Sequence, residues 1–185
     1  MLASQPTVDH IKATVAGKVA FWGPKMGADV PARTIVPGVL KGDSLILEGK
    51  PLEIIGLDGQ QPDRSFVWIP SIKAVVGGVV VADNIHVWMA DTQTSQSHAD
   101  WLTTLNTIER LKPETVVPGH YLGDSARSLA AVHFTADYIK AFDEETANAK
   151  DSAELIGAMK KRYPTLGEES SLELSAKVAK GEMKW

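Results

Sequence analysis

The sequence predicts an α/β layered domain in which helices cover a mixed or antiparallel sheet. Three observations predict this class: a helical pattern opens the chain, four or five strand patterns follow as a block, and helical patterns return from Ser97. With 185 residues the chain has room for one domain with a core, and two independent domains are not expected. We divide this single domain (1–185) into an N-terminal helix (1–22), a core (44–121) and C-terminal helices (124–185).

The first element is an amphipathic helix. Apolar residues recur at helical spacing from Val8 to Val19, after Thr7, which is the expected N-cap. The following Phe21-Trp22-Gly23-Pro24 segment predicts the end of the helix, and a Gly- and Pro-rich loop is expected up to Pro37.

Two hairpins come next. Their strands and turns are, in order, Ser44–Glu48, Gly49-Lys50-Pro51, Leu52–Ile55, then Ser65–Ile69, Pro70-Ser71 and Lys73–Val76. Val79 to Ala82 is expected to continue the last strand, with Gly77-Gly78 marking a bulge or a close backbone approach.

Helical spacing then returns. An apolar stripe from Trp101 to Leu111 predicts a helix that Lys112-Pro113 ends, and Thr115–Pro118 predicts a short strand. Three further helices are predicted, with N-termini at Asp124 or Ser125, at Asp151 with Glu154 in a capping box, and at about Glu168.

Composition and charge exclude several classes of function and of site. The net charge of −4 and the lack of a Lys/Arg stripe argue against a nucleic-acid surface. Because there is no cysteine, disulfides, thiolate metal sites and Cys nucleophiles are excluded. No window approaches the roughly 18 apolar residues of a membrane helix, and the N-terminus does not resemble a signal peptide. We therefore expect a cytoplasmic protein with no membrane or nucleic-acid partner.

A combination of motifs carries a family resemblance. From about Ser44 to Tyr121, the chain resembles the C-terminal half of the metallo-β-lactamase superfamily in its hairpins, Gly77-Gly78, the His86 segment, the helix near Trp101 and Val116-Val117-Pro118-Gly119-His120. The resemblance implies half of an αββα sandwich, here with extra C-terminal helices. It also implies hydrolysis with one or two metal ions, usually zinc, which generate hydroxide near neutral pH.

The metal ligands that the resemblance implies are mostly missing from this sequence. No H-x-H-x-D-H motif occurs, Gln60 stands where the middle His is expected, and Gly78 stands where the bridging Asp is expected. Only His120 keeps a family ligand position, and one His cannot supply the three protein ligands of a catalytic zinc. We therefore expect no metal site and no cofactor in this chain alone, and zinc or another divalent metal only if a partner completes the site.

Three residues are the candidates for a site. His120 follows a Pro-Gly turn that would present it at the mouth of a cleft, although the turn could equally persist for backbone reasons. His86 either faces the cleft or packs beside Trp88 with one nitrogen bonded. Asp91 could orient His86 or His120, or cap the loop before the next helix. For Asp63-Arg64 we expect a local ion pair or turn.

The sequence favours a degenerate or truncated metallo-β-lactamase-like hydrolase relative that is inactive alone. The alternatives are a small-ligand binding or assembly module that uses the residual cleft, and a hydrolase whose site a second chain completes. A lone half would expose an apolar sheet face formed by Val67, Ile69, Val75 and Val79, which predicts a homodimer unless the C-terminal helices cover that face.

Overall fold

The computed structural model describes residues 1–185 as five α-helices and nine short β-strands. The helices are α1 (Gln5–Met26), α2 (Ser95–Leu111), α3 (Leu129–Asn148), α4 (Ser152–Arg162) and α5 (Glu169–Ala179). The strands are β1 (Leu2–Ala3), β2 (Gly38–Val39), β3 (Ser44–Leu47), β4 (Lys50–Ile55), β5 (Phe66–Ile69), β6 (Ala74–Val76), β7 (Ala82–Asp83), β8 (Thr115–Val117) and β9 (His120–Tyr121). None of the helices combines the length and the apolarity that crossing a bilayer requires.

The central sheet has five strands in the order β3-β4-β5-β6-β8. The first four pair antiparallel, and β8 joins β6 in parallel with Val116 beside Val75. The turn between β3 and β4 is Glu48-Gly49, and both residues have the positive φ of a tight two-residue hairpin. The predicted mixed sheet and both hairpins are confirmed, except that Lys50-Pro51 belongs to β4 rather than to the turn.

Helices cover one face of this sheet and form the hydrophobic core with it. Trp101, Leu105 and Ile108 of α2 are buried, as the apolar stripe predicts, and they share one core cluster with side chains of α3, α4 and α5. Val75, which was expected on an uncovered face, is fully buried because it points toward these helices. Burying a large apolar side chain contributes about 1.5–3 kcal/mol, so this cluster accounts for much of the stability.

Helix α1 differs from its prediction at both ends. Its N-cap is Ser4 rather than Thr7, and the Ser4 hydroxyl accepts a hydrogen bond from the Thr7 backbone at 3.3 Å. The helix continues through Gly23 and Pro24 to Met26. Pro24 has no N–H and so removes one intrahelical hydrogen bond, a cost that tertiary packing of the last turns can offset.

An aromatic cluster supplies that packing. It consists of Phe21 and Trp22 of α1, Trp88, and Trp185 at the end of the sequence. Trp185 lies with its ring centroid 5.0 Å from those of Phe21 and Trp88, edge to face in both pairs. Such pairs add about 0.5–1.5 kcal/mol each beyond area burial. The cluster therefore fixes α1 against the segment that follows β7.

The chain between β6 and α2 departs from the predicted continuous strand. β6 ends at Val76, and a 3₁₀ turn over Gly78–Val80 leaves Val79 49% exposed. The backbone N–H of Ala82 donates to the Thr135 hydroxyl of α3 at 3.0 Å, and that hydroxyl is 3.0 Å from the Ala82 carbonyl. The continuous strand is not formed because Gly78, with a positive φ, turns the chain out of the sheet. The close backbone approach expected at Gly77-Gly78 is present, since a Cβ on Gly119 would collide with the Gly78 carbonyl oxygen.

The helix N-termini agree in part with the sequence patterns. α4 has the predicted cap, since the Asp151 carboxylate accepts from the Glu154 backbone at 2.9 Å. α3 begins later than predicted, with Ser128 as its N-cap. Ser125, one of the two expected caps, donates instead to the Asp83 carboxylate at 2.7 Å and so fixes the loop before α3.

Candidate functional site

A cavity of about 490 Å³ lies among the segments that join the strands and helices in the middle of the chain. Residues from the β5 approach, the β7–α2 segment, the β8–β9 turn and the start of α5 surround it, and α1 adds one lysine. The lining residues are Lys18, Arg64, Val79, Ala82, Ile85, Val87, Trp88, Asp91, Trp101, Gly119, His120, Tyr121, Leu122, Glu168 and Ser171. Its volume lies in the range of small-molecule sites.

His120 lies on this cavity, as the Pro-Gly turn predicts. The turn is fixed by close backbone packing: the Gly119 N–H donates to the Val81 carbonyl at 2.9 Å, and a Cβ on Gly119 would collide with the Gly78 carbonyl. His120 itself begins β9, beside Ala82 of β7, and its side chain is exposed. The turn therefore has a backbone cause, and it also places the His120 imidazole at the cavity.

His86 lies outside the cavity. Its side chain is buried, and Nδ1 is 3.1 Å from the Tyr138 hydroxyl of α3. Burial lowers the pKa of His86, so the imidazole is neutral at physiological pH. Of the two alternatives that the sequence left open, the structure shows the packed histidine, with Tyr138 rather than Trp88 as its partner.

Asp91 lies on the cavity but does not orient a histidine. Its carboxylate accepts a hydrogen bond from the Trp185 indole at 2.6 Å and lies 3.9 Å from the Lys18 ammonium. Neither alternative from the sequence is observed: these two contacts stand in place of a carboxylate–imidazole bond, and the helix that follows is capped by Thr94. Asp91 thus connects the C-terminal residue and α1 to the rim of the cavity.

Arg64 is the cavity residue that sequence reasoning missed. Of the expected local ion pair or turn at Asp63-Arg64, the turn is present, since the Arg64 backbone N–H donates to the Gln61 carbonyl at 2.9 Å. The ion pair is absent, because Asp63 instead lies 3.2 Å from the His10 imidazole. The Arg64 guanidinium carbon is 4.2 Å from the centroid of the Trp101 ring, and the residue is only 9% exposed. Burial lowers the pKa of Arg64, while the charges of Asp91 and Asp63 act in the opposite direction. No local motif marks this residue, since its partner Trp101 is supplied by a helix distant in sequence.

Among the comparisons with known proteins, only the one with solved structures finds similar proteins. No protein-family model and no curated protein matches the sequence. A metallo-β-lactamase family protein from Thermus thermophilus is similar over 94% of this chain and 60% of its own, with a TM-score of 0.55 and 15% identity. A metallo-β-lactamase from Pontibacter korlensis is similar over 75% of this chain and 57% of its own, with a TM-score of 0.52 and 16% identity. This chain has part of a metallo-β-lactamase fold. It spans under two thirds of either structure, and at these identities the likeness concerns the fold alone.

The metallo-β-lactamase fold implies a metal, and the donor set of the cleft does not fit one. No group of three or more His, Asp or Glu side chains is arranged to hold a metal ion. Gln60 lies on a separate cavity of about 150 Å³, Gly78 has no side chain to offer, and the cavity around His120 contains the Arg64 cation. A catalytic zinc needs about three protein ligands, and a guanidinium beside it would oppose binding.

The other three histidines are engaged elsewhere. His10 lies by Asp63, and His133 is 3.3 Å from Glu109 on an exposed helix surface. His98 is buried between the Asp143 carboxylate at 2.6 Å and the Thr92 carbonyl at 2.7 Å. These pairs leave His120 as the histidine that faces the cavity.

Proposed function

We propose that this chain is a degenerate metallo-β-lactamase-like protein that binds a small molecule in the residual cleft and does not hydrolyse it with a metal ion. The observation that carries the proposal is the composition of the cavity. It is large enough for a small molecule, yet His120 is its one imidazole, and the Arg64 guanidinium lines it together with the carboxylates of Asp91 and Glu168. A metal-dependent hydrolase needs a cation that lowers the pKa of bound water to about 7.

The names of the similar structures do not decide this point. One is called a metallo-β-lactamase and the other a metallo-β-lactamase family protein, and this chain spans 57% and 60% of their lengths. Their fold supports a cleft at the ends of the strands, and the side chains of this chain support its use for binding. The cytoplasmic location and the lack of a nucleic-acid partner stay predictions from composition.

Metal content and hydrolysis test the proposal together. The protein is dialysed without strong chelators, its metals are measured by mass spectrometry, and ester, thioester, β-lactam and phosphodiester substrates are assayed with added Zn²⁺, Mn²⁺ or Fe²⁺. We expect substoichiometric metal and the same background rate for the wild type and for His120→Ala. A chelator-sensitive rate that disappears in His120→Ala would overturn the proposal.

A hydrolase whose site is completed by a second chain is the less favoured candidate. It would need His86, Asp91 and His120 from two copies. His86 is buried against Tyr138, and the Asp91 carboxylate is bonded to Trp185, so only His120 is free to reach across an interface. The same assay at several protein concentrations distinguishes this candidate, because its rate would rise more steeply than the protein concentration.

The homodimer is a separate proposal that rests on the sheet edge. β3 ends the central sheet, and its successive apolar residues Leu45, Ile46 and Leu47 are 43%, 68% and 62% exposed. An uncovered apolar edge strand is a pairing site for another strand. We propose that β3 of a second copy pairs there.

Light scattering should give twice the chain mass of 19.9 kDa, and Ile46→Lys should reduce the measured mass to that of one chain. A wild-type monomer at micromolar concentrations would refute the pairing.

A further inference from the structure

The cavity contains a positive charge, the Arg64 guanidinium, that forms no direct ion pair with a carboxylate of the protein. Arg64 is 9% exposed, its Nε is fully buried, and that Nε has no hydrogen-bond partner. The two carboxylates whose charges reach Arg64 are engaged elsewhere: Asp63 with His10, and Asp91 with Lys18 and Trp185. Buried guanidinium groups in proteins are normally paired, because an unpaired buried charge is strongly unfavourable.

The guanidinium is held in a fixed orientation. Trp101, on whose face it lies, is 1% exposed, and its indole N–H donates to the Val80 carbonyl at 2.9 Å. Nε is the only nitrogen of the Arg64 guanidinium that is both enclosed and without a partner, and the side chain lines the cavity. A planar guanidinium oriented in this way presents parallel N–H donors, which match the two oxygens of a carboxylate or phosphate.

The rest of the lining suits an organic anion. Lys18 adds a positive charge and His120 an imidazole, while Glu168 at the start of α5 is the one lining carboxylate besides Asp91. The remaining surface is largely apolar, from the side chains of Val79, Ile85, Val87, Trp88 and Leu122. A ligand with one anionic end and an apolar body would satisfy both the guanidinium and these walls.

We propose that this cavity binds a small organic anion, a carboxylate or phosphate attached to an apolar group, and that Arg64 stacked on Trp101 anchors the anionic end. This inference rests on the proposed function, since it names the ligand class of the same cleft. The role of Arg64 is electrostatic and geometric, because the guanidinium forms two charge-assisted hydrogen bonds in a site of low polarity. Trp101 positions the guanidinium and Trp88 contacts the apolar body.

A titration followed by NMR tests the anchor directly. Protein labelled with ¹⁵N is titrated with phenylacetate, phenyl phosphate and inorganic phosphate, and with phenylacetamide as the neutral control, each up to about 10 mM, which detects millimolar affinity. The Arg64 Nε–H and the Trp101 indole N–H signals are the readouts. We expect both to shift saturably with the two organic anions, weakly with inorganic phosphate, and not with phenylacetamide.

Three variants complete the experiment. Arg64→Gln should weaken binding of phenylacetate by about tenfold or more, and Arg64→Lys, which keeps the charge without the planar fork, should weaken it less. Arg33→Gln, at an exposed arginine, is the matched control and should bind like the wild type. Since the Arg64 signal of the wild type is itself a readout, the test does not depend on the variants folding.

The outcomes separate the two proposals. Equal affinity for phenylacetate and phenylacetamide, unaffected by Arg64→Gln, would overturn the anion anchor and leave a small-molecule cleft standing. Unchanged Arg64 and Trp101 signals with every anion would also overturn the anchor. A stoichiometric shift of these signals and of His120 by Zn²⁺, with metal-dependent hydrolysis, would overturn the proposed function itself.

Discussion

Replacing Arg64 by methionine should make the protein more stable although it removes a charged residue from the cleft. Exchanging a buried ionic group for an apolar side chain of similar size is often neutral or stabilising by about 1–4 kcal/mol. The loss of the contact with Trp101 at 4.2 Å opposes this by about 0.5–2 kcal/mol. Because Nε has no partner to leave behind, no unsatisfied acceptor adds to the cost. We therefore expect a net gain of about 1–2 kcal/mol in the free energy of unfolding.

Urea unfolding followed by tryptophan fluorescence measures this change. Arg64→Met should raise the midpoint at constant m-value, and the melting temperature should rise by about 2–8 °C for a domain of this size. Arg33→Met, at an exposed position, should change stability by less than about 0.5 kcal/mol. A loss of more than about 1 kcal/mol in Arg64→Met at unchanged m would mean that the guanidinium supports the fold, and the reasoning on the unpaired charge would be refuted.

Three other substitutions and one pH change test the packing around the site. His120→Ala should leave the melting temperature unchanged in calorimetry, because the side chain is exposed. Gly119→Ala should cost more than about 2 kcal/mol in urea unfolding, since its Cβ would meet the Gly78 carbonyl. Tyr138→Phe should cost about 1–3 kcal/mol in the same assay, because it leaves the buried His86 nitrogen without a partner. Burial lowers the pKa of His86 in the folded state, so the free energy of unfolding should be highest above about pH 6.5 and should fall as the pH drops toward the folded-state pKa. Urea midpoints at several pH values measure this dependence. A flat profile would contradict it.

Local patterns were sufficient for the sheet and for most of the helices. The two hairpins follow from turn residues between short apolar strand patterns, and the stripe of α2 follows from its 3.6-residue period. Asp151 caps α4 because its carboxylate reaches the free backbone N–H of Glu154, three residues later, so both groups lie within one helical turn. The fold class was therefore predictable from the sequence.

Features that depend on distant partners were not predictable. α1 passes Pro24 because Trp185, at the other end of the sequence, packs on its last turns. Ala82 of β7 bonds to the side chain of Thr135 of α3, which lies 53 residues further along the chain. The sequence placed His120 at the cleft from its turn, but Arg64 became a site residue only when Trp101 was placed beneath it. Pairwise tertiary contacts of this kind leave no signal in a single sequence.

The aromatic cluster gives the cavity an optical signal of its own. Trp88 lines the cavity, and its ring lies 5.0 Å from that of Trp185 and 6.2 Å from that of Trp22. Indole rings this close couple their electronic transitions, so the near-ultraviolet circular dichroism reports their mutual angles. A molecule that enters the cavity and tilts Trp88 would change that spectrum. Unlabelled protein can thus be screened against ligands with a spectrometer alone.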